Sequence, residues 1–215
     1  MRTTTLEELS QRIDNDLGWR KKEITSLSLV ISDLQGEPQR AVLRGSLAVL
    51  YAHWEGFVKE CIFFYLNFVD CQCLSANQLN EAIVAFIFRN KLGKFHSDGL
   101  GIHHIDIIRD LRNQEPNRLR FPRSSRDIDT MSNLSSKRFR TLINFISISI
   151  PSKYDDTLSL IDTDLVLTRN AISHGNDDVV TINDWETIRD LILEIISYIG
   201  DEILNAAICE YYLKH

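Results

Sequence analysis

Long apolar runs are missing from this 215-residue chain. Its greasiest stretch, Cys61 to Val69, is short and broken by Asn67, so no membrane span is expected. The first residues (Thr3, Thr4, Thr5, Leu6, Glu7, Glu8) lack the basic-then-apolar order of an export signal, which makes the cytoplasm the expected compartment. Cysteine is sparse, at 61, 71, 73 and 209. Cys71 and Cys73 sit too close to pair easily, and no CxxC…CxxC frame for zinc exists, so free thiols in a reducing compartment are expected. Gly93-Lys94 lacks the rest of a phosphate-binding P-loop, and no Ser or Cys has the surroundings of a nucleophile elbow. His96, Asp98, His103, His104 and Asp106 are interrupted by Gly99 and Gly101, and the adjacent histidines lack i,i+4 spacing. No metal site and no cofactor are expected.

Positive charge is also in deficit. The 24 Lys and Arg against 30 Asp and Glu leave −6, which excludes a protein that coats nucleic acid by bulk electrostatics. The distribution is uneven. Arg109, Arg112, Arg118, Arg120, Arg123, Arg126, Lys137, Arg138 and Arg140 face only Asp110, Glu115, Asp127 and Asp129, a local +5 against −11 elsewhere. That pattern fits either a localised polyanion site or a solvated arginine-rich connection.

What is present is helical periodicity, without a convincing alternating strand pair and without repeats. The spacing predicts a first helix over about 5–34 and a second from near Pro38 to about Val69, apolar nearly all round between Ile62 and Leu66. A third is predicted from a cap at Ser75 to about Leu92. Gly93 to Gly101 reads as a loop, 102–112 as a short helix, and Asn113 to Asp129 as irregular. A helix opened by Ser135 or Ser136 runs through Ile146, and another covers Asp155 to Ser173. The last, capped by Asn183 or Asp184, extends to about Tyr212 with Ile188, Ile192, Ile195, Ile199 and Ile203 as its seam. The expectation is one all-α domain over 1–215, a bundle of long antiparallel helices with an irregular insertion at about 93–128. Trp19, Trp54 and Trp185 are expected in the core or an interface.

The most informative stretch is Arg169-Asn170-Ala171-Ile172-Ser173-His174, followed at once by Gly175. It places a permanent cation, an amide and the side chain that titrates near neutrality within a turn and a half. Such a set can bind a phosphate, hold it in register and move a proton. In an ideal helix Asn170 and His174 share a face, while Arg169 points about 140° away from His174. Convergence therefore needs the Arg arm to fold back or the helix to end near His174. Gly175 is where that end is expected, because Gly accepts the left-handed closing conformation. A polar helix terminus capped by His and Gly is the plainer alternative.

These residues resemble the HEPN superfamily, helical bundles that carry Arg-x(4–6)-His, here in its shortest spacing and in a form close to R-N-x-[IV]-x-H-G. Leu43 to Phe57 (LRGSLAVLYAHWEGF), with its Trp54-Glu55-Gly56 element, looks like the second helix of the HEPN-like nuclease subfamily of prokaryotic toxin–antitoxin and defence loci. Ser132-Asn133-Leu134 before a helix fits as well. The resemblance implies a metal-independent endoribonuclease that acts at a homodimer interface as a toxin or phage-defence effector, with RNA as substrate and an antitoxin or defence-system protein as partner. His174 suits proton transfer, Arg169 the phosphate charge, and Asn170 positioning. Glu55 is the candidate supporting anchor, with Arg44 a weaker one. Arg118, Arg120, Arg123, Lys137, Arg138 and Arg140 are the candidate RNA-binding residues. Two other readings stand beside this one. The first is a non-catalytic HEPN-like module that binds RNA, nucleotide or a protein partner. The second is a helical adaptor, favoured if His174 is buried and bonded only to backbone.

Overall fold

The computed structural model describes residues 3–92, 105, 108–109, 119–131 and 133–214. The architecture is all-α. Helices α1 (Leu6–Asp33), α2 (Gly36–Cys71) and α7 (Ile182–Ile208) pack against one another in all three pairings. Shorter helices cover this trio: α3 (Glu81–Leu92), α4 (Ser136–Asn144), α5 (Asp155–Leu160) and α6 (Thr168–Ser173). Buried side chains from α1, α2, α3, α4, α5 and α7 form one core, with Ile172 of α6 packed against it. None of the helices among the described residues is long and apolar enough to cross a membrane.

Local chemistry sets most boundaries. Thr5 and Glu8 form a reciprocal capping box at the start of α1, with Glu8 N–H donating to Thr5 Oγ1 at 3.1 Å. Ser135 caps α4. Two expected caps move. The third helix begins at Glu81, not near Ser75, because residues 78–80 are drawn into pairing with the C-terminal segment. Leu79 bridges Leu213, and Asn80 N–H donates to the Tyr212 carbonyl. The Ser75 hydroxyl instead donates to Gln78 Oε1, and Asn80 Oδ1 accepts Ile83 N–H, making Asn80 the cap of α3. At α7 the cap is Thr181, with Asp184 as its box partner, so the helix starts before Asn183. It ends at Ile208, and a turn carries the chain on to Tyr212. The fourth helix stops at Asn144, short of Ile146, where Ser147 takes a left-handed φ of 63°.

The largest departure lies between α5 and α6, where Ile161–Leu167 is π-helical. The chain from 155 to 173 is thus one helical run with a wide middle segment immediately before Arg169. Asp162 in that segment accepts Ser136 N–H at 2.7 Å and the Ser136 hydroxyl at 2.5 Å. A carboxylate there sits at the positive end of α4 and ties the two helices together.

Gly56 explains how α1 and α2 approach. A Cβ on Gly56 would lie 2.8 Å from Arg20 Nη1. Arg20 is buried at 5% exposure, bonded through Nε to Asp16 at 2.7 Å and through Nη1 to the His53 carbonyl at 3.3 Å. Trp54 and Trp185 are fully in the core, whereas Trp19 is 49% exposed with Arg20 stacked on it.

Candidate functional site

The motif helix ends where its glycine allows. Gly175 has φ +86°, its N–H donates to the Ile172 carbonyl, and Asn176 N–H donates to the Ala171 carbonyl. This pair of bonds is the Schellman closure, which only a residue free in the left-handed region completes without strain. His174 becomes the C-cap residue and stands exposed, with its N–H shared between the Asn170 and Ala171 carbonyls. Among the described residues its imidazole has no hydrogen-bond or ion-pair partner. Exposure of His174 removes the condition that would have favoured the adaptor reading.

The loop that follows is held from α2. Arg44 donates through Nη1 to the Asp178 carbonyl and through Nη2 to the Asn176 carbonyl, each at 2.7 Å. Arg40 reaches the Asp177 carboxylate in the same loop. Arg44 therefore acts one step removed from the motif: it fixes the backbone just beyond His174 rather than bonding Arg169 or His174.

Arg169 turns inward against α2. Its guanidinium carbon lies 3.5 Å from the centroid of the Tyr51 ring, a stacking distance. Its Nε is buried and has no hydrogen-bond partner among the described residues. Tyr51 is fixed in turn. Its hydroxyl oxygen accepts Leu134 N–H at 2.8 Å, and the Glu55 carboxylate, one helical turn on, is near enough for its charge to act on the phenol. Burial and the adjacent Glu55 charge push the Tyr51 phenol up to about 12, against the opposing pull of the Leu134 N–H and of Arg169, so it stays protonated at neutral pH. Glu55 Oε1 also accepts the Thr130 hydroxyl. Trp54 Nε1 donates to the Leu134 carbonyl at 3.1 Å, so α2 grips both backbone groups of Leu134.

The sequence-derived candidates divide accordingly. Arg169 and Glu55 meet the same side chain, Tyr51, from two sides. Asn170 is half-buried and His174 exposed, and among the described residues no side-chain hydrogen bond or ring contact joins Arg169, Asn170 and His174 within one chain. In the basic segment, Arg120, Arg123 and Lys137 are exposed. Arg138 spends Nε and Nη2 on the Asp129 carbonyl, and Arg140 spends its guanidinium on the Ile150 carbonyl and Asp155. Arg118 and Ser132 lie outside the described residues, as do His96, Asp98, His103, His104 and Asp106, and most of the 102–112 helix. Among the described residues no three His, Cys, Asp or Glu come together in a group that could hold a metal ion.

Tyr51 and Thr130 were not singled out by sequence reasoning, and Asn133 only as part of the segment before a helix. Asn133 Oδ1, beside the gripped Leu134, is buried without a partner among the described residues. The available signal was Tyr51 at i,i+4 to Glu55, a phenol and a carboxylate one turn apart on the same helix.

A family model described as HEPN_MAE_28990-like HEPN matches residues 9–212 of the chain. No curated protein and no solved structure matches it.

Proposed function

The chain belongs to the HEPN_MAE_28990-like HEPN family, and from that premise we propose that it is a metal-independent endoribonuclease using Arg169, Asn170 and His174. The observation that carries this reading is the state of Arg169. Its guanidinium lies at stacking distance over Tyr51, with an Nε that has no partner among the described residues, five residues before an exposed histidine at a helix end. Buried donors without partners are costly, and an anion would satisfy them.

The chemistry needs three services. A base takes the proton from the ribose 2′-OH, and O2′ forms a bond to phosphorus. The P–O5′ bond breaks, and an acid delivers a proton to the departing oxygen. Positive charge stabilises the phosphorane between these steps. His174 moves protons, Arg169 supplies a permanent planar fork for the phosphate oxygens, and Asn170 orients them. One chain offers a single imidazole, whereas base and acid are two roles. A homodimer that brings two copies of the motif to one phosphate supplies both, and the exposure of His174 leaves it free to meet a second copy. Substrate RNA runs over the basic segment, with Arg118, Arg120, Arg123 and Lys137 taking phosphates and Arg138 and Arg140 shaping the surface. Such an enzyme serves in the cytoplasm as a toxin or phage-defence effector, restrained by an antitoxin or triggered by a defence partner.

A second reading, RNA, nucleotide or protein binding without cleavage, is favoured by the lack of any hydrogen bond between the Arg169 and His174 side chains within one chain. The experiment that separates the two is incubation of labelled RNA with the purified protein in EDTA. Products ending in 2′,3′-cyclic phosphate and 5′-OH are expected, and an all-DNA oligonucleotide should stay intact. Strict Mg²⁺ dependence or cleavage of DNA contradicts the mechanism; RNA that is bound but never cut supports the second reading.

A further inference from the structure

We infer that Tyr51 is the positioning residue of the site, an aromatic platform that sets the plane of Arg169 while leaving its donors unspent. The inference rests on the nuclease reading and deepens it. A guanidinium that stacks uses its face, and its five N–H donors lie in the plane and point outward. At 3.5 Å from the ring centroid, Arg169 is held by its face. The usual way to hold a catalytic arginine, a carboxylate paired with its fork, would occupy the donors that a phosphate needs.

The platform is itself rigid, and the sequence accounts for that. Tyr51 and Glu55 are one turn apart on α2, so the Glu55 charge acts on the phenol while the hydroxyl oxygen accepts Leu134 N–H at 2.8 Å. Glu55 is fixed by the Thr130 hydroxyl, and Leu134 by Trp54. Three segments (α2, the 130–134 strip and α6) therefore converge on one ring. Glu55 places its negative charge on the hydroxyl of that ring and not on the guanidinium. It offsets the Arg169 charge across the phenol without competing for the donors. Glu55, expected as a supporting anchor, acts on Arg169 through the phenol rather than by pairing with it.

The test compares wild type with Tyr51→Phe and Tyr51→Leu in the full chain. The first readout is the NMR signal of Arg169 Nε–H, identified by its loss in Arg169→Lys, together with its response to inorganic phosphate. A proton beside a ring face carries a ring-current shift. Wild type and Tyr51→Phe should show that shift and respond to phosphate, and Tyr51→Leu should lose both. The second readout is RNA cleavage. Tyr51→Leu should lower kcat by about tenfold to a hundredfold with KM little changed, the loss typical of a misplaced catalytic group. Tyr51→Phe, which keeps the face but gives up the hydroxyl's hold on Leu134, should lose clearly less kcat than Tyr51→Leu. Thermal unfolding of both variants identifies losses that merely follow stability.

Tyr51→Leu with wild-type kcat overturns the inference. So does Tyr51→Phe losing as much kcat as Tyr51→Leu, since the hydroxyl and not the platform would then matter. If Tyr51→Leu does not fold, wild type decides: an Arg169 Nε–H without a ring-current shift removes the stack. Wild-type protein that shows the shift and binds phosphate but cuts no RNA defeats the nuclease reading and leaves the platform standing.

Discussion

Replacing Gly56 with alanine should destabilise the protein, while the same change at Gly45, eleven residues earlier in the same helix, should stabilise it. In a helix interior the change is worth about 1 kcal/mol in favour of alanine. At position 45 nothing lies within 4 Å of the added Cβ, so that gain should appear as about 0.5–1 kcal/mol. At position 56 the Cβ meets Arg20 Nη1 at 2.8 Å, Nη2 at 3.1 Å and Cζ at 3.4 Å. The Arg20 head is not free to yield: it is 5% exposed and bonded to Asp16 and to the His53 carbonyl. Overpacking costs about 1–3 kcal/mol, and each broken hydrogen bond to a charged group adds about 1.5–3 kcal/mol. With one such bond broken, and after the helical gain is subtracted, a net loss of about 1.5–5 kcal/mol remains. Urea unfolding followed by far-UV circular dichroism reads both variants. Adding Arg20→Met to Gly56→Ala removes the obstructing guanidinium and should lessen the penalty of the second change. Equal midpoints for Gly45→Ala and Gly56→Ala would refute the packing argument.

Further expectations concern pH, the motif loop and RNA. Burial, then the Arg20 cation, hold the His53 imidazole below its ordinary 6.5, outweighing Glu23, whose carboxylate lies 3.0 Å from Nε2, and Asp16. The folded state then binds fewer protons than the unfolded state, so stability should be complete above 6.5 and decline as pH falls below it. A His53→Gln variant whose stability falls just as steeply between neutral and mildly acidic pH would remove His53 as the cause. Arg44→Met should cost only about 1 kcal/mol in unfolding, since its bonds are partly exposed, yet slow RNA cleavage about tenfold by freeing the loop after His174. Unchanged cleavage would make that clamp irrelevant to the site. Arg120→Gln with Arg123→Gln should weaken RNA binding and lower the slope of log affinity against log salt by about 0.7 for each phosphate no longer neutralised. An unaltered slope returns this segment to a solvated connection.

Much of the fold was legible because its signals are local. Thr5 with Glu8, Ser135 and Gly175 each decide a helix end through bonds within a few residues. The start of α3 was not legible, because a bridge to Leu213, far along the chain, overrides the cap at Ser75. The π-helical stretch over Ile161–Leu167 was hidden as well, since its apolar residues recur closely enough to pass for ordinary helical spacing. At the site, the Arg-to-His spacing and the helix end could be read directly. The Arg169–Tyr51 stack joins residues more than a hundred positions apart, and nothing local announces it. Charge counting treated Arg138 and Arg140 like Arg120, yet it cannot see that the first two give their donors to backbone carbonyls.

The proposed mechanism stands or falls on whether two copies of Arg169, Asn170 and His174 form one ribonuclease site. A mixing series decides this: wild-type chains are refolded with increasing amounts of the Arg169→Ala/His174→Ala chain at constant total protein. The double variant alone should be folded and inactive, and RNA cleavage in the mixtures should fall as the square of the wild-type fraction. Cleavage by the pure double variant would remove these residues from the chemistry, and a linear fall would show each chain to be self-sufficient.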